Sequence, residues 1–365
     1  MRDDEAMRAA IELARGARRH TAPWPAVGCV IVRGGAVVGS GATGPFPTGP
    51  HAEVAALQNA GDRARGATAY STLEPCNHHT NTPPCTEALI AAGVTRVVVA
   101  VDDPDPRVAG RGYERLRSAG IELICGIARE EATRDLRPYL HQRATGHAFA
   151  VAKIATSLDG RIAAADGSSQ WITGPAARAD AHELRADSQA IVVGSGTALA
   201  DDPSLTVRDA DPKPLRAPLR VLLDARGRVP ATGQLFDDAA PTLVCTTNAA
   251  PGARIDEWRA AGAKVEMLAA GGISGVDLDA VLTVLAGENV LQALFEGGAG
   301  VLGSLVDRGL AQRLVVYVGP TVLGPAAAPS FLTTTVGSIA NAPRWHLASV
   351  RTIDPDVRLE YEAAR

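Results

Sequence analysis

Aromatic residues are scarce, 4% of the chain, too few to suggest a platform on which nucleic-acid bases stack. Basic stretches are absent and the net charge is −4, so the electrostatic footprint of a nucleic-acid binder is missing. Apolar runs such as Val97–Val101 and Ile191–Val193 are strand-sized, far short of a membrane span. The opening residues, Met1-Arg2-Asp3-Asp4-Glu5, are acidic and lead directly into an amphipathic pattern. They lack the basic, apolar and small-residue regions of a signal peptide. Cysteine is sparse and odd in number: Cys29, Cys76, Cys85, Cys125 and Cys245. Five scattered thiols are poor material for a disulfide framework and ordinary for a reducing cytosol. Each reads as a free buried thiol unless its neighbours say otherwise. These absences point to a cytoplasmic protein with a small-molecule substrate, and away from nucleic acids and membranes.

What is present suits a globular protein: 46% hydrophobic and 21% charged residues over 365 positions, long enough for two cores. Amphipathic spacing of Met7, Ala10, Ile11 and Ala14 predicts an opening helix. Val27–Val32 and Gly35–Gly39 then read as a hairpin. Strands at 67–72, 94–101 and 121–125 alternate with helices at 51–60, 83–92 and 112–119, which predicts an α/β fold with a buried sheet. Charge and Pro138 break this rhythm from about Glu130 to Phe149, and the domain boundary is placed there, dividing the chain into 1–147 and 148–365. A second α/β cycle follows, ending in an extended tail from Trp345 to Tyr361.

The sharpest chemical signal is His51-Ala52-Glu53, then Glu74-Pro75-Cys76, then Pro83-Pro84-Cys85. Zinc favours nitrogen and sulfur ligands, and a catalytic site keeps three protein ligands with one exchangeable position. His51, Cys76 and Cys85 supply that set. Zinc lowers the pKa of water toward neutrality. A hydrolytic deamination also needs a group to carry a proton from water to the departing amine, and Glu53, two residues past His51, suits that task. His51 and Cys85 each fall at a predicted helix start, where the dipole favours a thiolate. A structural site completed by His78 or His79 is the alternative reading. The combination follows the zinc-deaminase signature, with eight residues between the cysteines in place of two.

Two glycine turns punctuate the second half. Gly194-Ser195-Gly196-Thr197 and Glu296-Gly297-Gly298-Ala299-Gly300 each follow a predicted strand and lead into a helix. Such turns can present N–H groups to a phosphate, yet are more often plain βα connections. Neither matches the strict dinucleotide fingerprint.

The run Glu74-Pro75-Cys76-Asn77-His78-His79-Thr80-Asn81-Thr82-Pro83-Pro84-Cys85 closely resembles the bifunctional riboflavin-biosynthesis deaminase–reductase family, as does Asp103-Pro104-Asp105-Pro106-Arg107-Val108-Ala109-Gly110-Arg111-Gly112. The segments Lys153–Ala163, Ser168–Gly174 and Gly194–Arg208 are similar to the reductase half of that family. Two positions depart from its pattern: Trp24 stands where the family usually has Asn, and Thr80-Asn81 where it favours Gly-Arg.

The resemblance implies an N-terminal cytidine deaminase-like three-layer α/β/α domain and a C-terminal dihydrofolate reductase-like α/β domain, with zinc and NADPH as cofactors. It implies hydrolytic deamination of 2,5-diamino-6-(5-phosphoribosylamino)pyrimidin-4(3H)-one to 5-amino-6-(5-phosphoribosylamino)uracil, then NADPH reduction of the ribosyl group to a ribityl chain. Carried over by position, Ala155, Trp171, Thr197, Asp201 and the run Gly298, Ala299, Gly300, Val301, Leu302, Gly303 and Ser304 would line the cofactor. Lys153, Ser169, Arg185, Leu205, Arg208 and Glu296 would contact the phosphoribosyl pyrimidine, with Arg185 and Arg208 offering planar forks for its phosphate. A homodimer or higher homo-oligomer is expected from the same resemblance.

Overall fold

The computed structural model describes residues 1–364 apart from 80–82, 209, 211, 273–274 and 332–335. The departure at Thr80-Asn81 therefore lies outside the described residues. The chain forms two compact units, Met1–Gly146 and His147–Arg365.

In the first unit, α1 (Asp3–Thr21) buries Met7, Ala10, Ile11 and Ala14 on one face, as their spacing predicts. Strands β1 (Gly28–Arg33) and β2 (Ala36–Ala42) pair antiparallel. The turn between them needs positive φ at two successive residues, which Gly34 and Gly35 supply at 57° and 78°. Then follow α2 (Ala52–Ala60), β3 (Thr68–Leu73), α3 (Cys85–Ala91), β4 (Arg96–Val101), α4 (Arg111–Ser118) and β5 (Glu122–Cys125). The sheet runs β2-β1-β3-β4-β5, antiparallel on its first side and parallel from β3 to β5. Residues Val97–Val101 of β4 are buried whichever way they point, as in a strand of a sheet covered on both faces.

Most of the polar stretch in which the boundary is placed forms a 17-residue helix, α5 (Arg129–Thr145), with Pro138 inside it, and the division between the units, Gly146 to His147, follows directly after it. Ala132, Leu136 and Tyr139 are buried at helical spacing, so tertiary packing overrides what Pro138 costs locally.

The second unit contains β6 (Phe149–Thr156), β7 (Arg161–Ala163), α6 (Pro175–Ala186), β8 (Ala190–Gly194), α7 (Ser195–Asp201), β9 (Leu219–Leu223), β10 (Thr242–Thr246), α8 (Gly252–Ala260), β11 (Lys264–Met267), α9 (Leu278–Gly287), β12 (Gln292–Phe295), α10 (Ala299–Asp307), β13 (Arg313–Val318), β14 (Ala328–Pro329), β15 (Trp345–Ile353) and β16 (Asp356–Ala363). Its main sheet has the order β11-β10-β9-β8-β12-β6-β13-β16-β15. Strands β11 through β13 are parallel, and β13, β16 and β15 are antiparallel. The extended tail is thus a hairpin added to one edge.

Side-chain alternation splits the core. Ala150, Ala152, Val192 and Phe295 face Val281, Leu285 and Leu302 of α9 and α10. Phe149, Val151 and Leu294 face Ala177 and Ala181 of α6, while Ile191 and Val244 join Trp258 of α8. The carboxyl ends of β6, β8 and β12 are left to shape a crevice, where open α/β sheets bind ligands. Among the described residues, no helix is long and apolar enough to cross a membrane.

Candidate functional site

Three elements of the first unit bring the candidate metal ligands together. His51 is the N-cap of α2, Cys85 opens α3 after Pro84, and Cys76 lies in the loop leaving β3. Nδ1 of His51 lies 3.2 Å from Cys85 Sγ and 3.6 Å from Cys76 Sγ, and the three donor atoms all fall within 4.8 Å of one another. Zinc bonded tetrahedrally to one nitrogen and two sulfurs separates its ligand atoms by about 3.5–3.8 Å, so this spacing fits. His78 lines the same pocket, but among the described residues neither it nor His79 joins the donor cluster. The alternative of a four-ligand structural site therefore finds no support here.

The electrostatics fit a cation too. Hydrogen bonding with Cys85, opposed by burial and helped by His51, pulls the Cys76 thiol down to about 4. The same bond with Cys76, and then burial, pushes the Cys85 thiol well up. Two thiols this close share one proton unless a positive ion lies between them. The first N–H of α3 also points at Cys76 Sγ, 3.5 Å away.

Glu53, on the first turn of α2, is 4% exposed, and its Oε1 accepts a 3.1 Å hydrogen bond from Ser71 Oγ of β3. Burial, and next the charge of Cys76, push its carboxyl above the ordinary range. The site occupies a cavity of about 210 Å³, also lined by Trp24, Asp103, Tyr139 and Arg143. Sequence reasoning did not reach Tyr139 or Arg143, because it did not give their helix α5. Tyr139 donates to Asp103, 3.0 Å from Oδ2, and Arg107 grips Asp105 with Nη2 at 2.6 Å. The Glu74 carboxylate accepts from the N–H groups of Gly110 and Gly112, both at 3.1 Å, which ties the Cys76 loop to the start of α4. Only glycine fits at position 112, since a Cβ there would meet the Pro75 carbonyl oxygen at 2.2 Å.

The remaining cysteines are all free; Cys29 and Cys245 are core thiols. Cys125 departs from the expected buried thiol: it is exposed, because β5 is an edge strand.

A larger cavity, about 490 Å³, opens at the carboxyl ends of β6, β8 and β12 in the second unit. It gathers Lys153, Ser169, Arg185, Leu205, Arg208 and Glu296, together with Ala155, Trp171, Thr197, Asp201 and Gly298. The rest of the expected cofactor run is placed differently. Val301, Leu302 and Ser304 are buried in α10, and Ser304 Oγ donates to the Gly300 carbonyl. Ala299, Gly300 and Gly303 do not line the cavity; Gly297 does. From this stretch, the side chains of Val301, Leu302 and Ser304 serve the core, and any contact with a ligand falls to the backbone at the start of the helix.

Arg185 does not present a free fork. Its Nε and Nη2 lie 2.8 and 2.7 Å from the Glu296 carboxylate, and its Nη1 donates to the Thr206 carbonyl at 3.0 Å. Burial works against the Glu296 charge, but Arg185 and then Lys153 outweigh it and hold the carboxyl down to about 2. Burial lowers the pKa of Lys153, with Glu296 opposing. Leu205 is buried with φ at 47°, a strained left-handed conformation for leucine that the surrounding structure imposes at the cavity wall.

Trp171 is 66% exposed and lies under the guanidinium of Arg178, 4.2 Å from the ring centroid. His182 also lines the cavity and accepts the Arg208 backbone N–H on Nδ1. Arg178 and His182 lie on α6 at positions 178, 182 and 185 with Arg185, a helical spacing that could have grouped them.

Comparison with known proteins finds matches to both halves of the chain. Residues 1–101 match the family described as the cytidine and deoxycytidylate deaminase zinc-binding region, and residues 148–359 match the RibD C-terminal domain. The riboflavin biosynthesis protein RibD of Escherichia coli is 40% identical over 375 residues, covering all of both chains. Its Chlamydia pneumoniae counterpart is 45% identical, over 88% of this chain and 86% of its own. RibD from Acinetobacter baumannii superposes with a TM-score of 0.90 at 38% identity, covering 100% of this chain and 99% of that one. A deaminase/reductase from Thermotoga maritima, titled a diaminohydroxyphosphoribosylaminopyrimidine deaminase and 5-amino-6-(5-phosphoribosylamino)uracil reductase, gives 0.86 at 31% identity, covering 99% of each chain. The chain belongs to the RibD family, and is a bifunctional enzyme of riboflavin biosynthesis with a zinc-dependent deaminase domain followed by an NADPH-dependent reductase domain.

Proposed function

We propose that the first domain, residues 1–147, deaminates 2,5-diamino-6-(5-phosphoribosylamino)pyrimidin-4(3H)-one, and that the second, residues 148–365, reduces the ribosyl group of the resulting uracil to a ribityl chain. The observation that carries the first half is a buried carboxyl, Glu53, in the same pocket as three converging metal donors.

His51, Cys76 and Cys85 hold zinc, which when bound supplies a Lewis acid that activates water near neutral pH. Glu53 takes a proton from the attacking water and passes it to the departing amine as ammonia leaves. Ser71 fixes one oxygen of that carboxylate, and the buried setting keeps the proton from exchanging with bulk solvent.

In the second domain NADPH supplies the hydride. Ala155, Trp171, Thr197 and Asp201 hold the cofactor, together with the backbone between Gly298 and Ser304. Ser169, Leu205 and Lys153 position the sugar and base. The substrate phosphate falls to Arg208, which is exposed on the cavity wall, because Arg185 is committed to Glu296. Five free cysteines suit a cytoplasmic enzyme. Exposed Leu347 and Val350 on the outermost strand offer apolar surface for a homodimer or larger homo-oligomer.

Mass spectrometry of the products, with NADPH present and then withheld, tests both halves together. A mass change for deamination alone without NADPH, and for both steps with it, is expected. Unchanged substrate in both reactions contradicts the proposal.

A further inference from the structure

One aromatic side chain in the deaminase pocket has no part in the chemistry described so far. Trp24 sits in the turn between α1 and β1, its backbone N–H donating to the Thr21 carbonyl at 2.9 Å. Its ring packs against two others. The Phe46 centroid is 5.1 Å away with the planes at 85°, and the His51 centroid is 5.7 Å away at 70°. Phe46 is anchored in turn, since its N–H donates to the His20 carbonyl at 3.0 Å. The indole is therefore held against Phe46 and meets the imidazole of a candidate metal ligand edge-to-face, an arrangement aromatic rings favour.

A ligating imidazole needs its plane fixed, because rotation about Cβ–Cγ swings the donor nitrogen away from its target. The usual device is a hydrogen bond from the second ring nitrogen to a carboxylate or carbonyl. Among the described residues, the His51 ring hydrogen-bonds through Nδ1 alone, to the two sulfurs. Its N-cap position on α2 brings no side-chain cap bond either. The ring contact that remains is the one with Trp24.

We propose that Trp24 is a positioning residue of the metal site: its indole, backed by Phe46, sets the plane of the His51 imidazole and so aims Nδ1 at the point where Cys76 and Cys85 converge. The proposal rests on the deaminase reading of this pocket. It gives Trp24 an effect on metal affinity, which a residue serving only as a wall for the pyrimidine does not have.

Competition between the full-length protein and a chromophoric zinc chelator reads this directly. Trp24→Ala is expected to bind zinc about ten-fold more weakly, the lower end of what removing an outer partner of a ligand does. Trp24→Phe, which restores an aromatic ring, is expected to recover most of that loss. Zinc affinity equal to the parent in Trp24→Ala overturns the proposal, even if KM for the pyrimidine rises. Should Trp24→Ala fail to fold, Trp24→Leu keeps the bulk without the aromatic edge, and unchanged affinity there is equally decisive. Ammonia release by the zinc-loaded parent is measured alongside. Its absence sinks the deaminase reading, whereas undiminished zinc binding by the variants sinks this proposal alone.

Discussion

Arg185 of α6 and Glu296 after β12 close a two-pronged ion pair inside the second cavity, at 2.8 and 2.7 Å, with side chains 14% and 10% exposed. The two residues lie 111 positions apart in the chain, so the pair ties the helix that carries Arg178 and His182 to the end of a central strand. A guanidinium that reads as a phosphate fork is spent on holding the floor of the site.

Glu296→Gln leaves Arg185 and Lys153 without their counter-charge, and a loss of about 3–5 kcal/mol is expected in urea unfolding near neutral pH. The acid dependence has a definite sign. The folded carboxyl is held down to about 2 against an ordinary 4.5, so its stabilisation is complete above about 4.5 and fades as pH falls toward 2. The gap between parent and variant should narrow over that window. A gap that stays constant into acid removes Glu296 as the source.

If Arg208 rather than Arg185 takes the phosphate, Arg208→Ala should raise KM for the phosphorylated uracil by about ten-fold or more, from the roughly 1.5–3 kcal/mol of a hydrogen bond to a charged group. The dephosphorylated uracil should then be handled alike by parent and variant. Equal KM increases for both compounds place the phosphate elsewhere.

The candidate metal donors stand out in the sequence because the chemistry restricts them: His-x-Glu and two Pro-Cys steps leave few other readings. Their convergence was not legible in itself, since it depends on β3 lying between β1 and β4. Most strands and helices were readable to within a few residues, as with the strands read at 67–72 and 121–125 and found at Thr68–Leu73 and Glu122–Cys125. Helix α5 was hidden by Pro138 and surface charge, its packing face visible only once the sheet is in place. Strand β11, four residues with Lys264 and Glu266 among them, pairs along a sheet edge, and it carries too short an apolar pattern to stand out. The glycine run after Glu296 gave its position correctly, but spacing could not tell that Val301 and Leu302 turn into the core.

Trp171 owes its placement to Arg178, whose guanidinium lies 4.2 Å from the ring centroid and donates to the Thr173 carbonyl at 2.8 Å. Arg178→Met should raise KM for NADPH about two- to five-fold, the equivalent of roughly 0.5–1 kcal/mol for an exposed cation–π contact. Steady-state kinetics should show kcat little changed and deamination unaffected. A fall in kcat at constant KM contradicts this role.

Glu53→Gln keeps the shape of the carboxyl but cannot carry the proton. Zinc content should match the parent, while ammonia release falls by about 10²–10⁴-fold. NADPH oxidation with the deaminated uracil should continue at the parent rate. Loss of zinc from this variant would move Glu53 from proton carrier to ligand.

Chelation, followed in one protein sample by both reactions, bears most directly on the central claim that His51, Cys76 and Cys85 make the first site a metal-dependent deaminase separate from the second. Exhaustive treatment should strip about one zinc per chain and abolish ammonia release, with NADPH oxidation of supplied uracil intact and deamination restored by added zinc. Deamination that survives with no metal bound contradicts the account.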